Sequence, residues 1–141
     1  MDTKTVALAG GSGFIGRAIA RRLVASGKIT VRVLTRDPKS ARAKLDLPGV
    51  EFVRADLGQP ASLTDAVVGA DTIVDAIQFD GYPVENPRRG LTFERIDYGG
   101  VVALIEATPA EKPTAKLHPL KRVRRRRTLR PVTRRSRRKH V

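Results

Sequence analysis

The chain has 141 residues, enough for one ordinary domain, and it contains no cysteine, which excludes disulfides and thiolate metal sites. Its two histidines lack a neighbouring ligand set and its longest aliphatic run spans only residues 101–105, so we expect neither a metal site nor a membrane span. The net charge of +14 is uneven: residues 107–141 carry 14 Lys and Arg against one acid, whereas residues 1–106 carry 14 against 13.

The chain begins with a polar segment, residues 1–4, that leads directly into a predicted strand. This segment lacks the charged-then-apolar pattern of a signal peptide, which predicts a cytoplasmic protein. Residues 5–9 are apolar and partly β-branched, as in a buried strand. After a glycine-rich turn, apolar residues at helical spacing predict a helix that lies on a sheet: Ile15, Ile19 and Leu23, with Ala20 and Val24 beside them.

The turn between this strand and this helix, residues 10–16 (GGSGFIG), is suited to a pyrophosphate. The first N–H groups of a helix have no partners and carry partial positive charge. Glycines at 10, 13 and 16 would supply a tight turn, a bare surface for phosphate and close helix–strand packing, although the spacing 11, 13 and 16 fits equally. The alternative is a glycine-rich turn without a ligand. The candidate cofactor-binding residues here are Gly10, Gly11, Ser12, Gly13, Phe14, Ile15 and Gly16.

Strands and helices alternate along the next part of the chain. The patterns predict strands over 29–34, 50–55 and 71–77, helices over 39–47, 60–68 and 91–107, and a loop over 79–90. In the last helix we expect Val101, Leu104 and Ile105 to face inward. Because glycine is unfavourable inside a helix, Gly99 and Gly100 indicate close packing against the sheet or a ligand.

This βαβαβαβα order predicts an α/β protein of the Rossmann type. Its parallel sheet would have the strand order 3-2-1-4, incomplete relative to a full fold, with helices on both faces. In such sheets a ligand binds outside the carboxyl ends of the strands, at the point where the strand order reverses. We therefore expect a ligand over residues 10–16, flanked by the ends of the second and fourth strands.

The residues at these strand ends suggest which dinucleotide would bind. An acidic residue at the end of the second strand usually holds the ribose 2′-hydroxyl of NAD, but here Thr35 and Arg36 stand there, which favours NADP while NAD remains open. Asp37 nearby weakens that preference, and Arg36 could be an ordinary surface residue. Asp56, followed by Leu57, would meet the adenine or cap a turn, and Ala76 and Ile77 would leave room for the central ribose.

Four segments resemble the atypical and extended short-chain dehydrogenase/reductases, and in particular the NmrA-like, complex-I-subunit-like NAD(P)-binding group. They are AGGSGFIGR (9–17), VRVLTRDP (31–38), ADL (55–57) and GADTIVDAI (69–77). Residues 97–107 are similar to that family's N-x-x-G-T-x-x-L-L-E-A-A helix, with Asp97 in place of the asparagine. The resemblance covers residues 3–107. It implies binding of NAD(P)(H), in a family that includes oxidoreductases, epimerases and members that bind cofactor without turnover.

The chain departs from this family after that helix. The family continues with a strand similar to G-V-x-R-F-V-x-x-S-S and, in catalytic members, with a Tyr-x-x-x-Lys pair. Here Tyr82 is followed four residues later by Asn86, and Tyr98 by Val102, so the pair is absent. In that pair the lysine lowers the pKa of the tyrosine phenol so that the phenol can transfer a proton. Because the pair is absent here, we name no catalytic residue and expect a truncated or frame-shifted form without turnover.

The basic segment, residues 108–141, forms a second predicted unit after a cofactor-binding domain at residues 1–107. It has no aromatic residue, four prolines and several arginine runs, a composition typical of disorder. It could be a nucleic-acid-binding arm, a localisation signal or the out-of-frame translation of a GC-rich gene. We favour the last, because the composition changes inside a recognisable helix rather than at a linker.

Two functions follow from these patterns. The first is an NAD(P)-binding module, and the alternative is a nucleic-acid-binding protein that acts through its arginine-rich tail, which would bind polyanions without sequence preference. The fourth strand, within residues 71–77, would lie at the sheet edge with unpaired backbone groups. We therefore also expect self-association through that edge.

Overall fold

The computed structural model describes residues 3–108. Its elements, in chain order, are β1 (Lys4–Ala9), α1 (Phe14–Ala25), β2 (Ile29–Thr35), α2 (Pro38–Leu45), β3 (Glu51–Arg54), α3 (Ala61–Val67), β4 (Thr72–Asp75), a 3₁₀ turn (Pro87–Arg89), a π-helix (Phe93–Tyr98) and α4 (Gly99–Ala107). Residues 109–141, which make up all of the basic segment except Thr108, lie outside the described residues, and with them the predicted second unit.

The four strands form one parallel sheet in the order β3-β2-β1-β4, which confirms the predicted α/β fold class. β1 lies inside the sheet, with Ala9 paired to Leu34 of β2 on one side and to Asp75 of β4 on the other. Because β2 and β4 both flank β1, their carboxyl ends lie on either side of the glycine-rich turn that follows it. This is the point at which the strand order reverses.

Helices cover both faces of the sheet, and alternation along β1 directs side chains to each. Leu8 packs on the face covered by α1 and α2, in a core with Ala20, Val31, Val33, Leu45 and Val50. Ala7 and Ala9 point to the opposite face, where α3 and α4 pack, in a core with Leu34, Ala55, Leu57, Leu63, Ala66, Val67, Ala103 and Leu104. The sheet therefore separates two apolar cores, as a doubly wound fold requires.

The predicted inward stripe of α1 is correct except at its first position. Ala20 is fully buried, and Ile19, Leu23 and Val24 pack against the same core. Ile15, in contrast, is 64% exposed, so the prediction is wrong for this residue. The buried residue in the first turn is Gly16, whose backbone touches the Gly10 carbonyl and holds that side of the helix against β1.

The predicted helix 91–107 divides into the π-helix and α4, and two of its three expected core residues face outward. Leu104 is buried, but Val101 is 40% exposed and Ile105 is 67% exposed, which contradicts the prediction for both. The inward side of α4 contains Gly100, Ala103 and Leu104 instead. Gly100 lies directly against Leu57, so the predicted close packing of the glycine pair is confirmed at this position.

Three aromatic rings, two from the loop after β4 and one from the start of the π-helix, form a cluster that we call the aromatic cluster. Phe79, Tyr82 and Phe93 contact one another edge to face, with ring centroids 4.9–5.8 Å apart. Phe79 is only 3% exposed. Asn86 and Leu91 bridge further along the loop, and the Tyr82–Pro83 bond is cis. The cluster ties the start of this predicted loop to the start of the π-helix.

Within the described part of the chain, β4 pairs with β1 alone and forms one edge of the sheet. Its burial pattern leaves Thr72 and Asp75 exposed and the two residues between them partly buried.

No helix within residues 3–108 combines the length and the apolar character needed to cross a membrane.

Candidate functional site

A cleft of about 470 Å³ opens at the carboxyl ends of the strands. Eleven of the thirteen predicted site residues line it: Gly10, Ser12, Gly13, Phe14, Ile15, Thr35, Arg36, Asp56, Leu57, Ala76 and Ile77. The other two, Gly11 and Gly16, are buried beside it. The fold thus brings together residues from four separate connections that the sequence places up to 67 positions apart.

Three glycines of the glycine-rich turn, Gly10, Gly11 and Gly16, lie in contacts that leave no space for side chains. Gly10 has φ of +77°, and a Cβ there would lie 2.6 Å from the carbonyl oxygen of Ala76. A Cβ on Gly16 would collide with the Gly10 carbonyl, and one on Gly11 would lie 2.7 Å from the Val33 side chain. Gly10 therefore makes the tight turn, while Gly11 and Gly16 fix the turn and the helix against the sheet.

Gly13 lies in a different environment from these three glycines. Its backbone is extended, and a Cβ at this position would have the Gly10 carbonyl oxygen as its nearest neighbour, at 3.2 Å. It is the N-cap of α1, and no side chain caps that helix end. The first-turn N–H groups of α1 consequently face the cleft with the positive end of the helix dipole, an arrangement that can hold a phosphate group.

Phe14 and Ile15, the first two residues of α1, project beside this helix end. They are 88% and 64% exposed, and both line the cleft. Large apolar side chains with so much exposure at the rim of a cleft can be covered only by whatever occupies it or by another surface. They give the glycine-rich end of the cleft one apolar wall.

The residues at the end of β2 place a cation, Arg36, at the cleft, and a carboxylate, Asp37, at the start of α2. A nitrogen of the Arg36 guanidinium lies 3.3 Å from a carboxylate oxygen of Asp80, in the loop after β4. Asp37 is the N-cap of α2, where its side chain accepts a hydrogen bond of 3.1 Å from the Ser40 N–H. The Thr35 hydroxyl accepts from the Asp37 N–H at 3.3 Å. Asp37 therefore stabilises a helix start and is not among the residues that line the cleft.

The connection after β3 is organised by Asp56. Its Oδ1 accepts a hydrogen bond of 2.9 Å from the Gly58 N–H, and its own N–H donates to the Ser62 hydroxyl at 2.9 Å. Asp56 therefore caps this turn, and because the residue also lines the cleft, its contact with adenine stays a prediction. Leu57 beside it is 7% exposed and forms part of the core under the cleft.

The end of β4 is held close to the glycine-rich turn. The Ala76 N–H donates to the Ala9 carbonyl at 3.0 Å, and the Asp75 carboxylate accepts from the Ile77 N–H at 2.9 Å. The backbone of Ala76 and Ile77 thus lies directly beside Gly10, and both residues line the cleft.

Seven cleft residues were not predicted: Leu34, Ala55, Gln78, Phe79, Asp80, Leu91 and Ile96. Leu34 and Ala55 are the neighbours of predicted residues at strand ends, so a broader window at each end would have included them. The other five belong to the loop after β4 and to the π-helix. Local patterns did not connect these positions with the ends of the other strands, because they reach the cleft through the loop after β4 and the π-helix.

Comparison with known proteins places this cleft in a family context. A family model described as NAD(P)H-binding matches residues 10–113, which is more than half of the chain. The chain belongs to this NAD(P)H-binding family. The matched residues begin at the glycine-rich turn and include every strand end that lines the cleft.

Individual relatives agree with this assignment. A bifunctional dihydroflavonol 4-reductase/flavanone 4-reductase from Malus domestica is 28% identical over 123 residues, which cover 82% of this chain and 34% of the plant enzyme. Uronate dehydrogenase from Agrobacterium tumefaciens, solved as a variant complexed with NAD, is 28% identical with a TM-score of 0.52, over 74% of this chain and 36% of that one. Vestitone reductase from alfalfa is 25% identical with a TM-score of 0.54, over 73% of this chain and 31% of that one.

The chain spans about a third of the length of the two plant dihydroflavonol 4-reductase/flavanone 4-reductases that it matches. It contains an NAD(P)-binding domain related to NAD(P)-dependent reductases and dehydrogenases, which confirms the resemblance and the first of the two predicted functions at this level.

Proposed function

We propose that this NAD(P)H-binding domain holds its dinucleotide in the cleft, with the pyrophosphate on the amino end of α1. The observation that carries this proposal is the uncapped helix end above Gly13, where the N–H groups have no side-chain partner and a phosphate can approach the backbone. The adenosine half would lie over the ends of β2 and β3, near Thr35, Asp56 and Leu57. The central ribose would lie at Ala76 and Ile77.

We further propose that NADP(H) is preferred over NAD(H). Arg36 is the only cation among the described residues that line the cleft, and it follows the strand whose end meets the adenosine ribose. The end of this strand offers no free carboxylate for a 2′-hydroxyl. Asp37 is the acidic residue nearby, and its carboxylate instead caps α2. A guanidinium can hold a 2′-phosphate through two N–H groups, whereas NAD offers it no such partner.

Titration with the reduced cofactors tests both proposals, because NADPH and NADH both fluoresce. We expect the full chain to bind NADPH more tightly than NADH. Arg36→Ala should weaken NADPH binding about tenfold to a hundredfold, the range for a hydrogen-bonded charge pair, and should change NADH binding little. Equal losses for both cofactors would remove Arg36 from the 2′-phosphate, and absence of any binding by folded protein would refute the site.

The proposal extends to binding without dehydrogenase turnover by these 141 residues, as in some members of the family that the sequence resembles. Neither Tyr82 nor Tyr98 has a lysine four positions later, so the chain lacks the pair that moves the proton between substrate and solvent. NADPH oxidation against a panel of carbonyl compounds tests the absence of turnover directly, and turnover that Gly13→Val abolishes would contradict it.

A cytoplasmic location stays a prediction of the sequence.

A nucleic-acid-binding role is the second candidate function. It is favoured by one observation, the concentration of 14 Lys and Arg against a single acid in residues 107–141. Such a segment attracts phosphate backbones through charge alone. Because the segment has no aromatic residue for base stacking, the binding would lack sequence preference.

A further inference from the structure

The cation at the cleft already has an anionic partner from elsewhere in the chain. Arg36 follows β2, and Asp80 lies in the loop after β4, 44 positions later in the sequence. Their side chains form an ion pair of 3.3 Å. Both residues line the cleft, and since β1 separates β2 from β4, the pair crosses above the carboxyl end of β1.

The carboxylate of Asp80 is held in this position by the fold of its loop. Phe79, the preceding residue, is buried in the aromatic cluster with Tyr82 and Phe93. The backbone of Tyr82 also donates to the Phe79 carbonyl at 3.3 Å. The buried Phe79 therefore fixes the backbone next to Asp80, which keeps Asp80 close to Arg36.

We propose that Asp80 sets the cofactor selectivity of this site by competing with the 2′-phosphate of NADP(H) for Arg36. The proposal rests on the proposed function, in which Arg36 meets that phosphate. Binding of NADP(H) must exchange the carboxylate partner of Arg36 for a phosphate partner, and the remaining carboxylate then repels the phosphate. NAD(H) has no 2′-phosphate, so the Arg36–Asp80 pair persists when it binds.

The strength of the pair agrees with such an exchange. The side chains of Arg36 and Asp80 are 66% and 74% exposed, so water and salt screen their attraction strongly. An ion pair of this kind is weak enough for a phosphate to replace it. The pair nevertheless weakens NADP(H) binding by the free energy needed to separate Arg36 from Asp80. NAD(H) binding does not require this separation and is not weakened.

The test compares Asp80→Asn with the wild-type full chain in NADPH and NADH titrations. Asp80→Asn should raise NADPH affinity by up to about fivefold, the size of an exposed ion pair, and should leave NADH affinity within about twofold. The gain should shrink at high salt, because both the pair and the repulsion are screened. Asp65→Asn is the matched control, since it removes an exposed carboxylate on α3 that does not line the cleft, and it should change neither affinity.

A double-mutant cycle then asks whether Asp80 acts through Arg36. In an Arg36→Ala background, Asp80→Asn should lose most of its effect on NADPH affinity. An undiminished gain in that background, or no gain in the single variant, overturns the inference while cofactor binding by the wild type leaves the proposed function in place. If the folded wild type binds neither cofactor, the proposed function fails, and the selectivity role fails with it.

Discussion

Gly100 of α4 lies so close to Leu57 that any side chain at position 100 would overlap the Leu57 side chain. Leu57 forms part of the core on this face and also lines the cleft. Through this contact the packing of α4 supports the position of a cleft residue, although α4 itself contributes no residue to the cleft lining in the described part of the chain.

We expect Gly100→Ala to destabilise the domain by about 1–3 kcal/mol through overpacking, despite the better helix propensity of alanine. Urea unfolding followed by circular dichroism measures this change. In a Leu57→Ala background the same substitution should cost much less, because the side chain that it overlaps is shortened. Equal costs in the two backgrounds would show that the contact is not the cause.

Gly13→Val should abolish dinucleotide binding and preserve the fold. The extended backbone of Gly13 suits any residue, and a Cβ there meets only one backbone oxygen, so the loss arises from the filled space in front of the helix end. We expect NADPH affinity to fall more than about tenfold, measured by fluorescence titration. Unchanged affinity would mean that the pyrophosphate lies elsewhere.

Gly16→Ala provides the contrasting case, because its Cβ would collide with the backbone of Gly10. This variant should lose much more thermal stability than Gly13→Val, whose Cβ would meet the Gly10 carbonyl oxygen at 3.2 Å rather than overlap it. A stable Gly16→Ala protein would contradict the tight packing of α1 on β1.

The β4 edge should support self-association of the full chain. Among residues 3–108, β4 pairs on one side only, and unpaired strand edges recruit further strands. Sedimentation should therefore reveal oligomers that Thr72→Lys reduces, since an edge lysine opposes pairing. Thr64→Lys, on the exposed side of α3, adds the same charge away from the edge and should have no effect. A wild-type monomer of high thermal stability would refute the prediction.

Binding of DNA by the basic segment should depend steeply on salt. If roughly 6–10 phosphates are contacted, affinity should fall by about 10³–10⁵ between 50 and 200 mM salt and show no sequence preference. Filter binding with unrelated duplexes measures both properties. Deletion of residues 108–141 should remove the binding, and a salt-insensitive, sequence-specific complex would instead favour a dedicated nucleic-acid function.

The sheet order and the residues at the strand ends could be predicted because they depend on local patterns. Apolar strands that alternate with helices predict a parallel sheet. The residues at the carboxyl ends of all its strands then lie on the same side of the molecule. This reasoning placed Thr35, Asp56 and Ala76 together without any knowledge of their contacts.

Apolar periodicity assigns three exposed residues to the core wrongly: Ile15 in α1 and Val101 and Ile105 in α4. The close contacts near them are made by glycines, since Gly16 lies against the Gly10 backbone and Gly100 against Leu57. Apolar periodicity cannot detect the burial of a residue that has no side chain. Asp80 was missed for another reason: a long loop carries it to Arg36, and charge alone does not indicate which distant partner a loop residue meets.

The aromatic cluster also gives the protein an internal optical reporter. The chain contains no tryptophan and only two tyrosines, and Tyr98 is 70% exposed on the π-helix. Tyr82, which is 49% exposed, instead contacts both Phe79 and Phe93 edge to face. Because these contacts make its surroundings asymmetric, we expect Tyr82 to contribute more near-ultraviolet circular dichroism than Tyr98. A rearrangement of the segment that presents Asp80 should then be detectable in the unlabelled protein.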